Sequence, residues 1–228
     1  MGVVSGELAF RDAEGKDCGM GAYWRYETWI RNNESKGRGV PGSTGAITLL
    51  RREAFAPMPA DTLLDDVFLP MHAMEQGWRC VFEPGAIAWD LPSASASRER
   101  VRKRRTLAGN LQLLFRNPRW ILPGGHPLAF AFLHHKIMRL LVPFALIALF
   151  ASNLVLAGHP IFQATLAGQI LFYGLSLVGR IGLGGAAGRL AYLFWELNAA
   201  ALLAWADALR GNYRVVWDRS DKLPNLGK

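Results

Sequence analysis

The stretch TLLDDVFLPMHAMEQGWRCVFEP, residues 62–84, contains the pattern on which the fold prediction depends. Val67, Met71 and Met74 stand at positions i, i+4 and i+7, which is the spacing of one apolar face of a helix. Gly77 follows where helices commonly end, because glycine adopts the left-handed backbone conformation at low cost. The apolar run after this glycine is typical of a strand and contains a Pro-Gly turn signal. The stretch therefore predicts a helix followed by a strand.

The segment ahead of this stretch adds another predicted strand. A turn-forming GSTG run at residues 42–45 precedes a short apolar strand at residues 46–50. Strand, loop, helix and strand in this order predict an α/β sheet domain. Residues 1–127 hold most of the charged side chains, so we assign this domain to them.

Two adjacent carboxylates, Asp65 and Asp66, stand at the start of the predicted helix. We place Asp65 at the N-cap and Asp66 in the first turn, where capping and the helix dipole favour acidic residues. That structural role accounts for both residues, and the pattern by itself favours it. The same position would also hold a carboxylate at the edge of a sheet, where a general base reaches a substrate hydroxyl.

The composition changes after residue 127. Residues 128–209 are dominated by Leu, Ala, Phe and Gly, and two stretches within them, 140–157 and 161–179, contain no charged residue. Each is close to the roughly 20 apolar residues that cross a bilayer, so we predict a hairpin of two transmembrane helices. Basic residues flank this hairpin and are absent from its link at 158–160. By the positive-inside rule the soluble domain is cytosolic.

We predict a third transmembrane span at residues 190–206, an apolar segment that contains Glu196 and Asn198. An acidic residue at the centre of a bilayer costs about 2.5 kcal/mol or more, so Glu196 either faces other helices or lies near an interface. A complete third crossing would place the basic tail, residues 210–228, outside the cell, against the positive-inside rule. The sequence leaves this conflict open.

The run RERVRKRR, residues 98–105, has six basic residues among eight. It is typical of a basic helix beside a membrane, and the net charge of +8 comes largely from such clusters, so we expect anionic lipid rather than nucleic acid as a partner. A catalytic role would require phosphate, since arginine binds diphosphates through two hydrogen bonds. Residues 111–122 are amphipathic enough to lie on the membrane surface.

In their order and spacing these segments resemble the membrane-bound family 2 glycosyltransferases, the class that includes cellulose, hyaluronan and poly-N-acetylglucosamine synthases. The resemblance covers roughly residues 3–218 and includes the apolar hairpin. The segments that carry it are YWRYETWIRNNES and GSTGAITLLRREAF, similar to the acceptor-side helix and the strand after it; LLDDVFLPMHAMEQGWRCVFEPGAIAWD, similar to the segment with the Thr-Glu-Asp or Asp-Asp motif; and RKRRTLAGN, at the place of the Gln-x-x-Arg-Trp motif.

The resemblance implies a partial nucleotide-diphospho-sugar transferase domain of the GT-A type, followed by transmembrane helices. It also implies inverting transfer of a sugar from a nucleotide-sugar to a glycan or lipid-linked acceptor. By the match Asp66 is the catalytic base with Asp65 beside it, and the diphosphate-binding residues are Arg102, Arg104 and Arg105. The Gln and Trp of the family motif correspond to Arg102 and Thr106, so the aromatic platform of the processive synthases is missing.

The family's nucleotide-binding half, with its Asp-x-Asp metal motif, has no counterpart in this sequence. The resemblance therefore implies the carboxy-terminal portion of a longer enzyme, inactive by itself, in a bacterial inner membrane with its catalytic part in the cytosol. A divalent metal, Mg²⁺ or Mn²⁺, would be bound by residues outside this chain. The alternative is a non-catalytic membrane-anchored module that binds anionic lipid or a partner subunit.

Overall fold

Three strands form a small mixed sheet whose central strand is β1 (Val3–Phe10). β1 pairs antiparallel with β2 (Thr48–Leu50) and parallel with β3 (Cys80–Asp90). The Pro-Gly signal at residues 84–85 predicted a turn inside the last strand. β3 is assigned as one strand through it, but the β1–β3 register shifts at this point, because Ser5 pairs with Phe82 and Glu7 with Ile87. The irregularity is therefore a bulge in a continuous strand.

The structure, a computed structural model, describes residues 1–11, 14, 22–91 and 96–213, and only the backbone of residues 22–24 and 96–99. The predicted basic tail lies outside the described residues from residue 214 onward. Within these ranges the chain is a mixed α/β unit with a small sheet, followed by three long helices.

Two helices frame the sheet, α1 (Ala22–Lys36) and α2 (Asp65–Glu75). α2 is the helix that the apolar spacing predicted, and all three residues of the predicted stripe are at most 4% exposed. Gly77 follows it with a φ of 85°, which confirms the predicted helix end. The buried face of α2 thus packs with Val3 and Cys80 of the sheet in the hydrophobic core.

The basic run and much of the predicted amphipathic segment belong to one helix, α3 (Ala96–Arg116). It ends two residues before Pro118, because a proline disfavours helical backbone in the residue before it. The amphipathic helix is therefore shorter at its carboxy end than predicted. Leu107 and Leu111 lie one turn apart on its buried face.

The predicted hairpin corresponds to two long helices. The first is continuous through α4 (Ala129–Ala131), a π-helical stretch (Phe132–Ile137) and α5 (Met138–Val155). The second is α6 (Pro160–Arg180). By length and composition both could cross a membrane. Their apolar side chains are largely exposed, as much as 82% at Val155 and 73% at Leu171.

The last helix, α7 (Gly185–Leu209), contacts one end of this hairpin with both of its halves. Its first half packs on the carboxy end of α6, where Phe194 and Phe172 form an edge-to-face pair with ring centroids 5.5 Å apart. Its second half packs on the amino end of α5 and on α3, and Trp205 Nε1 donates a hydrogen bond of 3.0 Å to the Leu140 carbonyl. α7 therefore links the end of α6 to the beginning of α5.

The closest approach of α6 and α7 requires two glycines. A Cβ on Gly179 would collide with the backbone of Gly188, so a side chain at this position would force the helices apart. We expect Gly179→Val to cost about 1–3 kcal/mol through overpacking, which lowers the melting temperature by several degrees. Thermal unfolding of the detergent-solubilised protein measures this.

Gly174→Val is the matched control on the same helix, because a Cβ there would meet nothing within 4 Å. Its melting temperature should stay within about 1 °C of the parent value, since an exposed substitution of this kind changes stability little. Equal losses in the two variants would contradict the packing described for α6 and α7.

Candidate active site

The two predicted site carboxylates occupy different environments at the start of α2. The helix begins at Asp65 with Leu64 as its N-cap and without a side-chain capping bond, so the N-cap predicted at Asp65 is wrong. The helix starts earlier because the Leu64 carbonyl already accepts a hydrogen bond of 3.0 Å from the Phe68 amide. Asp65 is exposed, whereas Asp66 is half-buried.

The carboxyl group of Asp66 is enclosed but incompletely hydrogen-bonded. Its Oδ1 atom is buried and accepts no hydrogen bond from the residues that the structure describes. Burial raises the pKa of Asp66, the positive charge of Lys136 opposes this, Asp65 raises it further and Arg31 again opposes it. Asp66 therefore combines a raised pKa with a buried oxygen that has no hydrogen-bond partner among the described residues.

The loop before β2 contacts the backbone of Asp66. The amide and the hydroxyl of Ser43 donate hydrogen bonds of 2.7 and 3.2 Å to the Asp66 carbonyl. A Cβ built on Gly42 would lie 3.4 Å from that carbonyl oxygen and 3.7 Å from Lys136 Nζ. Arg31 approaches from the other side and donates hydrogen bonds of 3.1 Å to the Gly42 carbonyl and 2.9 Å to Ser5 Oγ. Strand, loop, α2 and the π-helical stretch therefore meet at Gly42.

A partly buried histidine, His135, joins α1 to the π-helical stretch. His135 Nε2 lies 3.1 Å from Glu27 Oε1, and its Nδ1 lies 3.2 Å from Glu34 Oε1. A neutral imidazole has one N–H group, so contacts to two carboxylates favour the doubly protonated ring. We refer to these three residues as the Glu–His–Glu bridge.

Within this bridge the acid of Glu27 is strongly stabilised as the anion. Burial alone would raise the pKa of Glu27, but the hydrogen bond from His135 and the charges of His135, Lys136 and Arg139 lower it to about 2. The π-helical turn that carries His135 and Lys136 is a local departure from α-helical geometry of a kind that is frequent at functional sites.

The predicted diphosphate-binding arginines are divided between different partners. Arg104 Nε and one terminal nitrogen each lie 2.6 Å from a carboxylate oxygen of Asp207, so its guanidinium is engaged by α7. Arg105 donates a hydrogen bond of 3.2 Å to the Leu63 carbonyl, at the entry to α2. Arg102 is exposed on α3. The structure thus brings Arg105, but not Arg104, close to the segment of Asp66.

The residues around Asp66 do not fit a divalent metal ion. Among the described residues no group of three or more His, Cys, Asp or Glu side chains is placed to hold one. The cationic side chains of Lys136 and Arg31 interact electrostatically with the Asp66 carboxylate and would repel a metal cation there.

The residues that surround Asp66 were not predicted from the sequence. Glu27, Arg31 and Glu34 stand at positions i, i+4 and i+7, so a charged face of α1 was visible in the sequence as a helical spacing. Lys136 contributed only to the predicted membrane orientation. Its position beside Gly42 depends on how the hairpin packs on the sheet domain, for which no local pattern exists.

The fold is similar to that of a glycosyltransferase. The chain matches the solved structure of the mannosyltransferase PcManGT from Pyrobaculum calidifontis in complex with GDP-Man and Mn²⁺, with a TM-score of 0.58 and 20% sequence identity. The match covers 91% of this chain and 53% of that chain, so this chain spans about half the length of the mannosyltransferase. At this identity the likeness concerns the fold alone. No protein-family model and no curated protein matches the sequence.

The Glu–His–Glu bridge makes a prediction for stability. His135→Phe keeps a ring of similar size but removes the cation that contacts both Glu27 and Glu34, so we expect a loss of about 3 kcal/mol. His134→Phe is the control, because His134 is exposed and contacts only its own helix through the Phe130 carbonyl and ring. Thermal unfolding at neutral pH compares the two variants with the parent.

The pH dependence adds a second measurement. Since the pKa of Glu27 falls from 4.5 to about 2 on folding, its contribution to stability is complete above pH 4.5 and is lost as the pH falls toward 2. The stability difference between the parent and His135→Phe should therefore shrink over that interval. A difference that stays constant down to pH 2 would refute the charge pairing.

Proposed function

We propose that this chain is the acceptor-side and membrane part of an inverting, membrane-bound family 2 glycosyltransferase, with Asp66 as its catalytic base. The observation that carries the proposal is the Asp66 carboxylate itself, half-buried, with one oxygen that lacks a hydrogen-bond partner among the described residues. Lys136 and Arg31 attract its charge where the sheet domain joins the hairpin. The fold likeness to a mannosyltransferase that binds GDP-Man supports the reaction class.

In the proposed reaction the acceptor hydroxyl gives its proton to Asp66. The acceptor oxygen forms a bond to the anomeric carbon of the sugar, while the bond from that carbon to the donor diphosphate breaks and the nucleoside diphosphate leaves with the electron pair. Burial raises the pKa of Asp66 and makes it a stronger base than an exposed aspartate, while the charges of Lys136 and Arg31 favour its ionised form.

We propose that Arg105 and Arg102 bind the departing diphosphate. Both lie on α3, three residues apart and hence on one side of the helix, and Arg105 already reaches the entry to α2. Arg104, the third arginine of the sequence prediction, would have to leave Asp207 to join them. In its observed pairing Arg104 instead joins α3 to α7.

We further propose that donor binding is completed by residues outside this chain, including the ligands of a Mg²⁺ or Mn²⁺ ion. The mannosyltransferase whose fold this chain shares binds GDP-Man and Mn²⁺, and this chain matches only 53% of it. The proposed acceptor is a glycan or a lipid-linked saccharide at the cytosolic face of a bacterial inner membrane.

The proposed membrane arrangement has two crossings rather than three. The hairpin of α5 and α6 crosses the bilayer with its link at 158–160 outside, and α7 lies along the cytosolic interface. The contact of Trp205 with the beginning of α5 and the ion pairs of α7 with the basic helix α3 support this placement. It leaves the basic tail inside, which a complete third crossing would not.

Asp66 and Asp65 are predicted to differ in function. In the full-length enzyme Asp66→Asn should lower kcat by about 10²–10⁴-fold, which is the usual contribution of a general base. Asp65→Asn, the matched neighbour, should retain activity within about tenfold, because Asp65 is exposed and contributes mainly charge at the helix start. Steady-state transfer assays with a nucleotide-sugar donor provide the measurement.

Asp66→Asn is expected to lower activity without lowering stability. The folded pKa of Asp66 is raised, so ionised Asp66 destabilises the fold once the pH rises through that pKa. Asp66→Asn should therefore melt no lower than the parent at pH 7. Parent activity should rise with pH through the Asp66 pKa and then level off. Full activity in Asp66→Asn would disprove the assignment of the base.

The membrane arrangement is tested by cysteine labelling in intact cells. In a background with Cys18 replaced by serine, Gly158→Cys should react with an impermeant thiol reagent, and Arg210→Cys should react only after lysis. Both positions are exposed at helix ends, and the native Cys80 is buried. Labelling of Arg210→Cys in intact cells would establish a third crossing, and protection of Gly158→Cys would reverse the hairpin.

A further inference from the structure

A groove of about 350 Å³ opens between α3, the carboxy end of α6 and the middle of α7. It is lined by both cationic and apolar side chains. We call the cationic residues Arg100, Arg104 and Arg180 the rim, and the apolar residues, which include Leu177, Trp195 and Leu203, the floor. A groove with these two surfaces matches an amphiphile, which has an anionic head and an apolar body.

The charges on the rim are unequally satisfied. Arg100 lies 3.0 Å from Glu196 Oε1, and that oxygen also accepts a hydrogen bond of 2.7 Å from the Tyr192 hydroxyl. Arg104 is paired with Asp207. Arg180, by contrast, is exposed at the last position of α6 and forms no ion pair with any residue in the described part of the chain. Three guanidinium groups and one carboxylate line the groove, so an excess of positive charge remains.

The floor of the groove continues onto the exposed side of α6. Leu177 is 64% exposed, and Ile170, two turns earlier on the same face of α6, is 56% exposed. Trp195 packs against Tyr173 at this level, with ring centroids 5.7 Å apart. Tyr and Trp side chains with one polar end are typical of the boundary between headgroups and acyl chains. The head of an amphiphile would therefore meet the rim while its chains follow α6.

We propose that this groove is a specific binding site for one anionic phospholipid. The phosphate binds at Arg180 with a further contact to Arg100, and the acyl chains lie along Leu177 and the lipid-facing side of α6. A bound lipid bridges α3, α6 and α7, and so stabilises the placement of α7 along the interface. The proposal depends on the membrane placement of the hairpin and is independent of the transfer reaction and of Asp66.

Affinity is measured by native mass spectrometry of the detergent-solubilised protein titrated with phosphatidylglycerol or with zwitterionic phosphatidylcholine. We expect one phosphatidylglycerol to bind at least about fivefold more tightly than phosphatidylcholine, and Arg180→Gln to weaken it by about fivefold, as one basic residue near an anionic lipid implies. Arg180→Lys should retain most of the affinity because it keeps the charge.

Arg189→Gln is the matched control, since Arg189 is an exposed arginine on the neighbouring part of α7 that does not line the groove. It should bind phosphatidylglycerol within about twofold of the parent, because exposed positions away from a site contribute little. Thermal unfolding of Arg180→Gln without lipid should match the parent, as expected for an exposed side chain.

Location is measured with phosphatidylglycerol that carries a photoactivatable group on its headgroup. Cross-links should map to the groove residues of α3, α7 and the carboxy end of α6, and should be lost in Arg180→Gln. Equal affinity for the two lipids, an equal effect of Arg180→Gln and Arg189→Gln, or cross-links confined to parts of the α5–α6 hairpin outside the groove would each overturn the proposal. None of these measurements requires turnover, so they remain decisive even where the proposed transfer activity fails.

Discussion

The Glu–His–Glu bridge is the interaction on which the rest of the arrangement depends. His135 contacts one carboxylate with each ring nitrogen, and both carboxylates belong to α1. Because partly buried carboxylates require a cation nearby, α1 and the π-helical stretch cannot separate without exposing unpaired charges. The bridge therefore fixes the soluble domain against the beginning of the hairpin. Lys136, the next residue, is thereby held beside Gly42 and near Asp66.

The surroundings of Asp66 combine opposing electrostatic effects. Burial disfavours the ionised carboxyl group, while Lys136 and Arg31 favour it. A carboxylate placed only for stability would gain hydrogen bonds in such a position, yet Oδ1 of Asp66 has none among the described residues. Asp65, one residue earlier, is exposed on the same helix turn. A carboxylate whose pKa is shifted by burial and nearby charges, beside a neighbour that is exposed, is typical of a functional site. This pattern supports the proposed role of Asp66.

Ion pairs connect α7 to the basic helix α3. α7 is apolar in composition, but its two acidic residues Glu196 and Asp207 pair with Arg100 and Arg104 on the strongly basic helix α3. A helix with this charge is unfavourable in hydrocarbon, so these pairs support the proposed placement of α7 along the interface. The same pairing leaves Arg180 at the edge of the groove, where the positive charge is not compensated by the described residues.

The sequence by itself determined the local elements of this protein. α2, its glycine-terminated end and the α5–α6 hairpin follow from apolar spacing and length, which act within a few turns of chain. Only the tertiary structure showed that β1 is the central strand. Ser5, Gly6 and Glu7 interrupt the apolar alternation that would indicate a strand in the sequence. Their roles become visible only in the fold, where Arg31 hydrogen-bonds to Ser5 and the register with β3 shifts between Ser5 and Glu7. The environment of Asp66 was likewise beyond prediction. Lys136 is 70 residues further along the chain, and no periodicity specifies which buried charge meets which.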